Sequence, residues 1–350
     1  MGFRSRYKAG EFVEVRSKRD ILRTLDRTGA LDGMPFMPEM LAHCGRRYQV
    51  FASAHKTCDT VNKTGGRRVP RAVHLEGLRC NGSAHGGCQA RCLLFWKEAW
   101  LKPVSDTPSS SGAKATAGDC DEALLMQSVR QPGDDPKDPT YRCQATRLPE
   151  ASWPLRRWTP RQYVADVTSG NVALREAFRI LVLACIYRLR ELRWGYRATT
   201  TLYERVHRLF RGSPSPYGQG LVAPGCPTPH QVLDLEVGET VRVKPHVEIL
   251  ATINHFNRNR GLSFDKEMVR YCGQELRVVA RVSQIINEQT GKITRMPTPS
   301  VQLEGAFCTS QYSERRLMCP RRIVPFWREI WLERISADVA SERQSDSSSR

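Results

Sequence analysis

The sequence predicts an α+β protein: two repeated small β-barrel-like domains, with an SH3-like plan as one form they could take, each with a terminal helix and joined by a helical insert. Three observations predict it. They are an internal repeat, short alternating strands within each copy, and a three- and four-residue apolar spacing in the middle of the chain. Displacing the chain by 228 positions carries Gly10, Glu11, Val13 and Val15 onto Gly238, Glu239, Val241 and Val243. The same register carries Phe36, Glu39, Met40, Cys44 and Gly45 onto Phe264, Glu267, Met268, Cys272 and Gly273. Val73, Leu75, Glu76, Gly77 and Cys80 meet Val301, Leu303, Glu304, Gly305 and Cys308. After a three-residue insertion, Cys88, Phe95, Trp96, Trp100 and Leu101 meet Cys319, Phe326, Trp327, Trp331 and Leu332.

Each copy opens with an alternating strand, Glu11 to Arg16 and Glu239 to Lys244, whose valines share one face. A brief helical stretch follows at Ile21 to Leu25 and at Ile249 to Ile253. Two more strands read from Tyr48 to Ala52 and Val73 to Leu78, with counterparts from Leu276 to Val282 and Val301 to Phe307. Thr64-Gly65 and Thr290-Gly291 mark turns between them. The aromatic segments Leu93 to Leu101 and Phe326 to Leu332 put tryptophans four apart and predict a closing helix. The domains are then repeat one at 10–104, a flexible linker at 105–140, an Arg-rich helical insert at 141–211, a Gly/Pro linker at 212–231, repeat two at 232–336 and a disordered tail at 337–350. Within the insert, Thr159-Pro160 is a helix start, with a capping hydroxyl and Pro at the first position. Leu174, Phe178, Leu181, Cys185, Leu189 and Leu192 form one apolar stripe on the next helix.

A hydrophobic fraction of 40% with 26% charged residues excludes a wholly disordered chain. The net charge of +18 favours an anionic macromolecule such as nucleic acid; an Arg-rich composition inherited from a GC-rich genome accounts for it equally well. Twelve Arg and four acids lie between Trp153 and Gly212, so nearly half of that excess sits in the insert. Arg175, Arg179, Arg188, Arg190 and Arg193 are the candidate anion-binding stripe, opposite the apolar one. The opening residues have neither the apolar core of a secretory signal nor a myristoylation pattern, and no apolar run is long enough for a membrane span. A cytoplasmic location is the expectation. There, twelve cysteines point to metal ligation, catalysis or burial rather than to disulfides.

The strongest chemical signal is Cys80, His85, Cys88 and Cys92, with Cys58 upstream. Four converging thiolates close a tetrahedral zinc site, and His85 stands in reserve as a ligand. The spacing is not that of paired C-x2-C knuckles, which leaves an iron–sulfur cluster as the alternative. Cys58, His85 and Cys92 have no Cys or His at the matching positions of repeat two, so its site reads as degenerate. Cys44 and Cys272 read as packing residues, Cys120 as a linker residue without a role, and Cys143, Cys185 and Cys226 as packing or chance. The matched acids Glu39/Glu267 and Glu76/Glu304 read first as loop-closing residues, and catalytic residues stay unassigned.

The strings GLRCNGSAHGGCQARCLLFWKEAWL and CPRRIVPFWREIWL resemble parts of an uncharacterised bacterial protein family associated with biosynthetic gene clusters. The resemblance covers both repeats and implies no established activity. The residues themselves predict a metal-stabilised binding or accessory protein whose basic insert takes an anionic macromolecule or a partner protein. The alternative is a metalloenzyme or redox protein with a zinc or iron–sulfur centre in repeat one, acting in a biosynthetic pathway.

Overall fold

In the computed structural model, residues 5–104, 120–191, 196–313 and 315–335 are described. The chain is of mixed α+β class and falls into two compact units. The first comprises Met1–Pro214, Gln284–Thr294 and Thr309–Ile323; the second comprises Ser215–Ser283, Arg295–Cys308 and Val324–Arg350. The second repeat is therefore not a unit by itself: two of its segments belong to the first.

The first unit is built on a five-stranded sheet in the order Trp96–Lys97, Ala72–Leu75, Arg47–Ser53, Phe12–Val15 and Leu101–Pro103. Val13 and Val15 point to one face and are fully buried, as the alternation requires. They pack with Ile21, Phe36, Trp96 and Trp100 in the main core. The Trp100 indole meets Phe36 edge-on at 5.1 Å and donates its N–H to Thr24 Oγ1. A second, three-stranded sheet joins Trp153–Leu155, Gly66–Arg68 and Lys56–Cys58.

The five-stranded sheet that carries the second repeat has the corresponding strand order: Trp327–Arg328, Ile293–Leu303, Glu275–Ile286, Thr240–Val243 and Leu332–Arg334. Its registers match too. Val13 faces Tyr48 and Pro103, while Val241 faces Leu276 and Arg334. Trp331 repeats the edge-on contact with Phe264 at 5.2 Å and the hydrogen bond to Thr252 Oγ1.

Two expectations are corrected here. No barrel closes among the described strands; each sheet is open, with the two short tryptophan-flanked strands at its opposite edges. Nor does either copy end in a helix. Residues 96–103 run strand, 3₁₀ turn, strand, and so do 327–334. Their backbone groups go into ladders with both edges of the sheet, and that tertiary pairing overrides the helical reading of the Trp spacing.

The expected linker is also shorter than its composition predicts. Residues 105–119 lie outside the described residues, as does the tail from 336 onward. From Cys120 the chain is folded, with a helix at Glu122–Ser128 capped by Asp121 and with Cys120, Leu125 and Val129 in the core.

The insert is helical as expected, at Pro160–Thr168, Leu174–Glu191 and Tyr196–Arg211. The buried face differs from the predicted stripe. Ala177, Ile180 and Leu183 are buried, whereas Leu174, Phe178 and Leu189 are exposed. The arginines therefore do not oppose a buried Leu174–Leu189 face. Arg175 is exposed; Arg179 lies 4.0 Å from Glu176 and over the Phe210 ring, and Arg188 is half-buried with an interaction of its own. Arg193 lies outside the described residues, as does the side chain of Arg190.

Candidate metal centre

Cys80 follows the strand Ala72–Leu75 after a turn at Glu76-Gly77. Its backbone N–H donates to the Cys92 carbonyl at 2.8 Å, and Arg79 bridges Leu93, so Cys80 and Cys92 stand at the neck of a loop. Inside that loop the N–H groups of His85 and Gly87 both donate to the Gly82 carbonyl at 3.0 Å. Gly82 has φ +75°, and a Cβ there would lie 2.1 Å from the Cys88 carbonyl oxygen. Only glycine allows this crossing, and the crossing turns His85 back toward Cys80.

The third donor comes from the 3₁₀ turn Pro38–His43, which delivers Glu39. The Cys80 thiol lies 3.3 Å from His85 Nε2 and donates to Glu39 Oε1 at 3.5 Å. His85 Nδ1 is 3.8 Å from that oxygen. One ligand atom from each of these residues can be chosen so that all lie within 4.8 Å of one another. Bonds of about 2.3 Å to sulfur and about 2.0 Å to nitrogen or oxygen, at a tetrahedral angle, set donors roughly 3.5 Å apart. The Cys80 distances match that edge length.

The electrostatics are those of a site short of positive charge. Burial raises the Glu39 carboxyl and lowers His85 to about 4, and it drives the Cys80 thiol far above its ordinary range. Glu39 Oε2 and His85 Nδ1 are buried with no hydrogen-bond partner. Unsatisfied polar atoms on two of these side chains, in so dry a place, fit a bound cation that takes one nitrogen of His85 and one oxygen of Glu39 and displaces the protons. The group could hold a metal ion, and its S, N and O donors are those of a zinc-type cation.

A cavity of about 30 Å³ adjoins these donors and is lined by Cys80, His85, Cys88, Cys92, Cys143 and Glu288, among others. Three sequence-predicted ligands, Cys80, Cys88 and Cys92, thus share one cavity with His85. Burial raises Cys92 to about 12 and Cys143 to about 11. Cys88 accepts from the Ile286 N–H at 3.3 Å.

Cys58 is placed elsewhere. It ends the strand Lys56–Cys58, is absent from the cavity lining, and shares a thiol hydrogen bond with Cys319. Hydrogen bonding from Cys319, then the Arg321 and Arg316 charges, lower its thiol to about 6 against the opposing effect of burial.

Two residues of this site were passed over in the sequence. Glu39 is matched by Glu267, and that match made it look structural; its distance of 41 residues from Cys80 hid the contact. Cys143 has no counterpart and carried no signal. Among the described residues the second repeat supplies no such donor group, and no His stands at the place matching His85.

No protein-family profile, curated protein or solved structure matches the chain. Among the described residues, no helix is long and apolar enough to cross a membrane.

Proposed function

We propose that this is a metal-stabilised binding protein made of two duplicated modules, with a single zinc-type ion in the first. Glu39, Cys80 and His85 hold the ion, and one of Cys88, Cys92 or Cys143 completes the tetrahedron from the shared cavity. The observation that carries this reading is the approach of three buried donors to within 4.8 Å, two of them with orphaned atoms. Duplication is supported by the matched registers of the two sheets.

A structural rather than catalytic ion fits the surroundings. The adjoining cavity of about 30 Å³ has room for little more than a water and none for a substrate. The same dimension argues against an iron–sulfur cluster. The ion would pin the loop from Cys80 to Cys92 against the turn of Glu39. The partner that such a scaffold serves is anionic, the sign that a net charge of +18 favours through long-range attraction.

Metal analysis of protein purified without chelator tests the proposal. Stoichiometric zinc in a colourless protein supports it. A brown protein containing iron and acid-labile sulfide turns the assignment to the redox alternative.

A further inference from the structure

A second candidate site has no cysteine in its lining. A surface groove of about 430 Å³ is lined by Thr64, Gly66, Pro154, Leu155, Arg156, Arg157, Trp158 and Arg315. That volume is in the range of small-ligand pockets. Three guanidinium groups border it, and among the described residues none of them is held in an ion pair. Trp158 stands beside them with 66% of its surface exposed. An indole left this open has no packing role to explain it. Arg157 lies over its ring at 5.0 Å, so one ring face is already matched to a cation.

The groove is rigidly built, although its lining residues are far apart in sequence. Trp153–Leu155 is an edge strand paired with Gly66–Arg68. The buried Arg67 guanidinium anchors it by donating to the Pro149 and Ser152 carbonyls and to Ser152 Oγ. Arg315 is seated on a glycine pair. A Cβ on Gly65 would lie 3.2 Å from the Arg315 Cβ and 3.3 Å from its carbonyl oxygen. Asp59, which accepts from the groove residue Thr64, is also held by Asn62 and Arg67. By strand alternation Trp153, 54% exposed, shares the face of Leu155, so a second open indole flanks the groove.

We infer that this groove binds a nucleotide segment of single-stranded nucleic acid, with phosphates against Arg156, Arg157 and Arg315 and a base stacked on Trp158. Unpaired guanidinium groups bind phosphate in a bidentate fashion, and an exposed indole offers a flat π-face that any base can use. A carboxylate peptide would use the arginines and leave both tryptophans idle. The inference rests on the binding role proposed above for the sign of its partner, and is independent of the metal.

The test uses the full metal-loaded chain, a fluorescent oligothymidylate read by anisotropy, and AMP and heparin as competitors. AMP alone reports a free-nucleotide site, and heparin reports polyanion attraction without bases. Trp158→Ala should weaken oligothymidylate binding between about fivefold and 100-fold, the range of one lost stacking contact. Arg156→Gln and Arg315→Gln should each reduce the salt slope by about 0.7. Arg46→Gln, an equal loss of charge at an exposed site elsewhere, should change affinity by less than the groove variants. Metal content should stay constant throughout, which separates failure here from failure of the metal assignment. The inference is overturned if the oligonucleotide does not bind, if Trp158→Ala binds as the parent does, or if heparin binding depends on Trp158 to the same extent. Competition by AMP as strong as by the oligonucleotide, per site, would overturn the strand and leave a mononucleotide site.

Discussion

The Cys80 thiol stands 3.3 Å from His85 Nε2, five positions along the chain. The other ring nitrogen, His85 Nδ1, is buried with no hydrogen-bond partner. If a metal ion joins these groups, Cys80→Ser and His85→Gln should each weaken metal affinity by more than about tenfold, since even outer partners of such ligands cost that much, and should lose metal on dialysis. Cys58→Ser should keep the metal, because its thiol lies outside the cavity lining and is hydrogen-bonded with Cys319. Plasma mass spectrometry of the three variants decides between them. Chelation of the parent should lower its stability by about 4 kcal/mol when free metal had stood at a thousand times its dissociation constant.

Gly82 and Gly77 give a matched pair of backbone tests. Both have positive φ, +75° and +72°. Gly77→Ala meets nothing within 4 Å and should cost about 1–2 kcal/mol, the left-handed penalty alone. Gly82→Ala adds a Cβ 2.1 Å from the Cys88 carbonyl oxygen, which is backbone and cannot turn aside. It should cost several kcal/mol more and lose metal as well. Equal denaturation midpoints for the two would remove the argument that Gly82 shapes the loop.

How much of this was readable in the chain follows from which contacts are local. Val13, Val15, Val241 and Val243 announce their strands because alternation is a property of neighbours, and the matched register carries through to the ladders. The tryptophan pairs misled because a spacing of four arises both on a helix and across a strand–3₁₀–strand passage. The helix Leu174–Glu191 carries apolar residues on two sides, so spacing could not say whether Leu174 and Phe178 or Ala177 and Ile180 would be covered. Cys80, His85, Cys88 and Cys92 lie close in sequence and were visible as a cluster. Glu39 and Cys143 reach the same place only through the tertiary fold. Cys120 looked like linker from its neighbours, yet it is buried in the core.

His74 provides a pH test outside the candidate ligands. It is fully buried, its Nδ1 lies 2.9 Å from the Leu94 carbonyl, and burial lowers it to about 4. Above the unfolded value near 6.5 both states are neutral and stability is unaffected. As pH falls from there to about 4, the unfolded chain takes up a proton that the folded one refuses, so stability falls. The loss levels off below about 4, after roughly 3 kcal/mol. In metal-free protein, the difference in urea midpoint between parent and His74→Phe isolates this residue from the other histidines. An identical pH slope in both would show that His74 is not held neutral.

The last prediction concerns the buried pair Lys56 and Asp166, whose Nζ and Oδ2 lie 2.5 Å apart. The ammonium also donates to the Leu317 carbonyl at 2.8 Å and sits over the Tyr163 ring at 5.0 Å. On the other side of the carboxylate, His55 Nε2 is 3.2 Å from Oδ1 but off the hydrogen-bonding direction. Burial lowers Lys56, and the Asp166 charge and hydrogen bond oppose that fall. A pair this dry is weak evidence of net stabilisation, since desolvation offsets the Coulomb attraction, but breaking it from one side is costly. Asp166→Ala should therefore destabilise by about 3–5 kcal/mol, leaving an ammonium buried without its counter-charge. Lys56→Met together with Asp166→Leu should recover most of that loss, because no uncompensated charge remains. Chemical denaturation of the single and double variants makes the comparison. If the double variant is as unstable as Asp166→Ala, then the hydrogen bond to Leu317, and not the charge balance, is what this cluster provides.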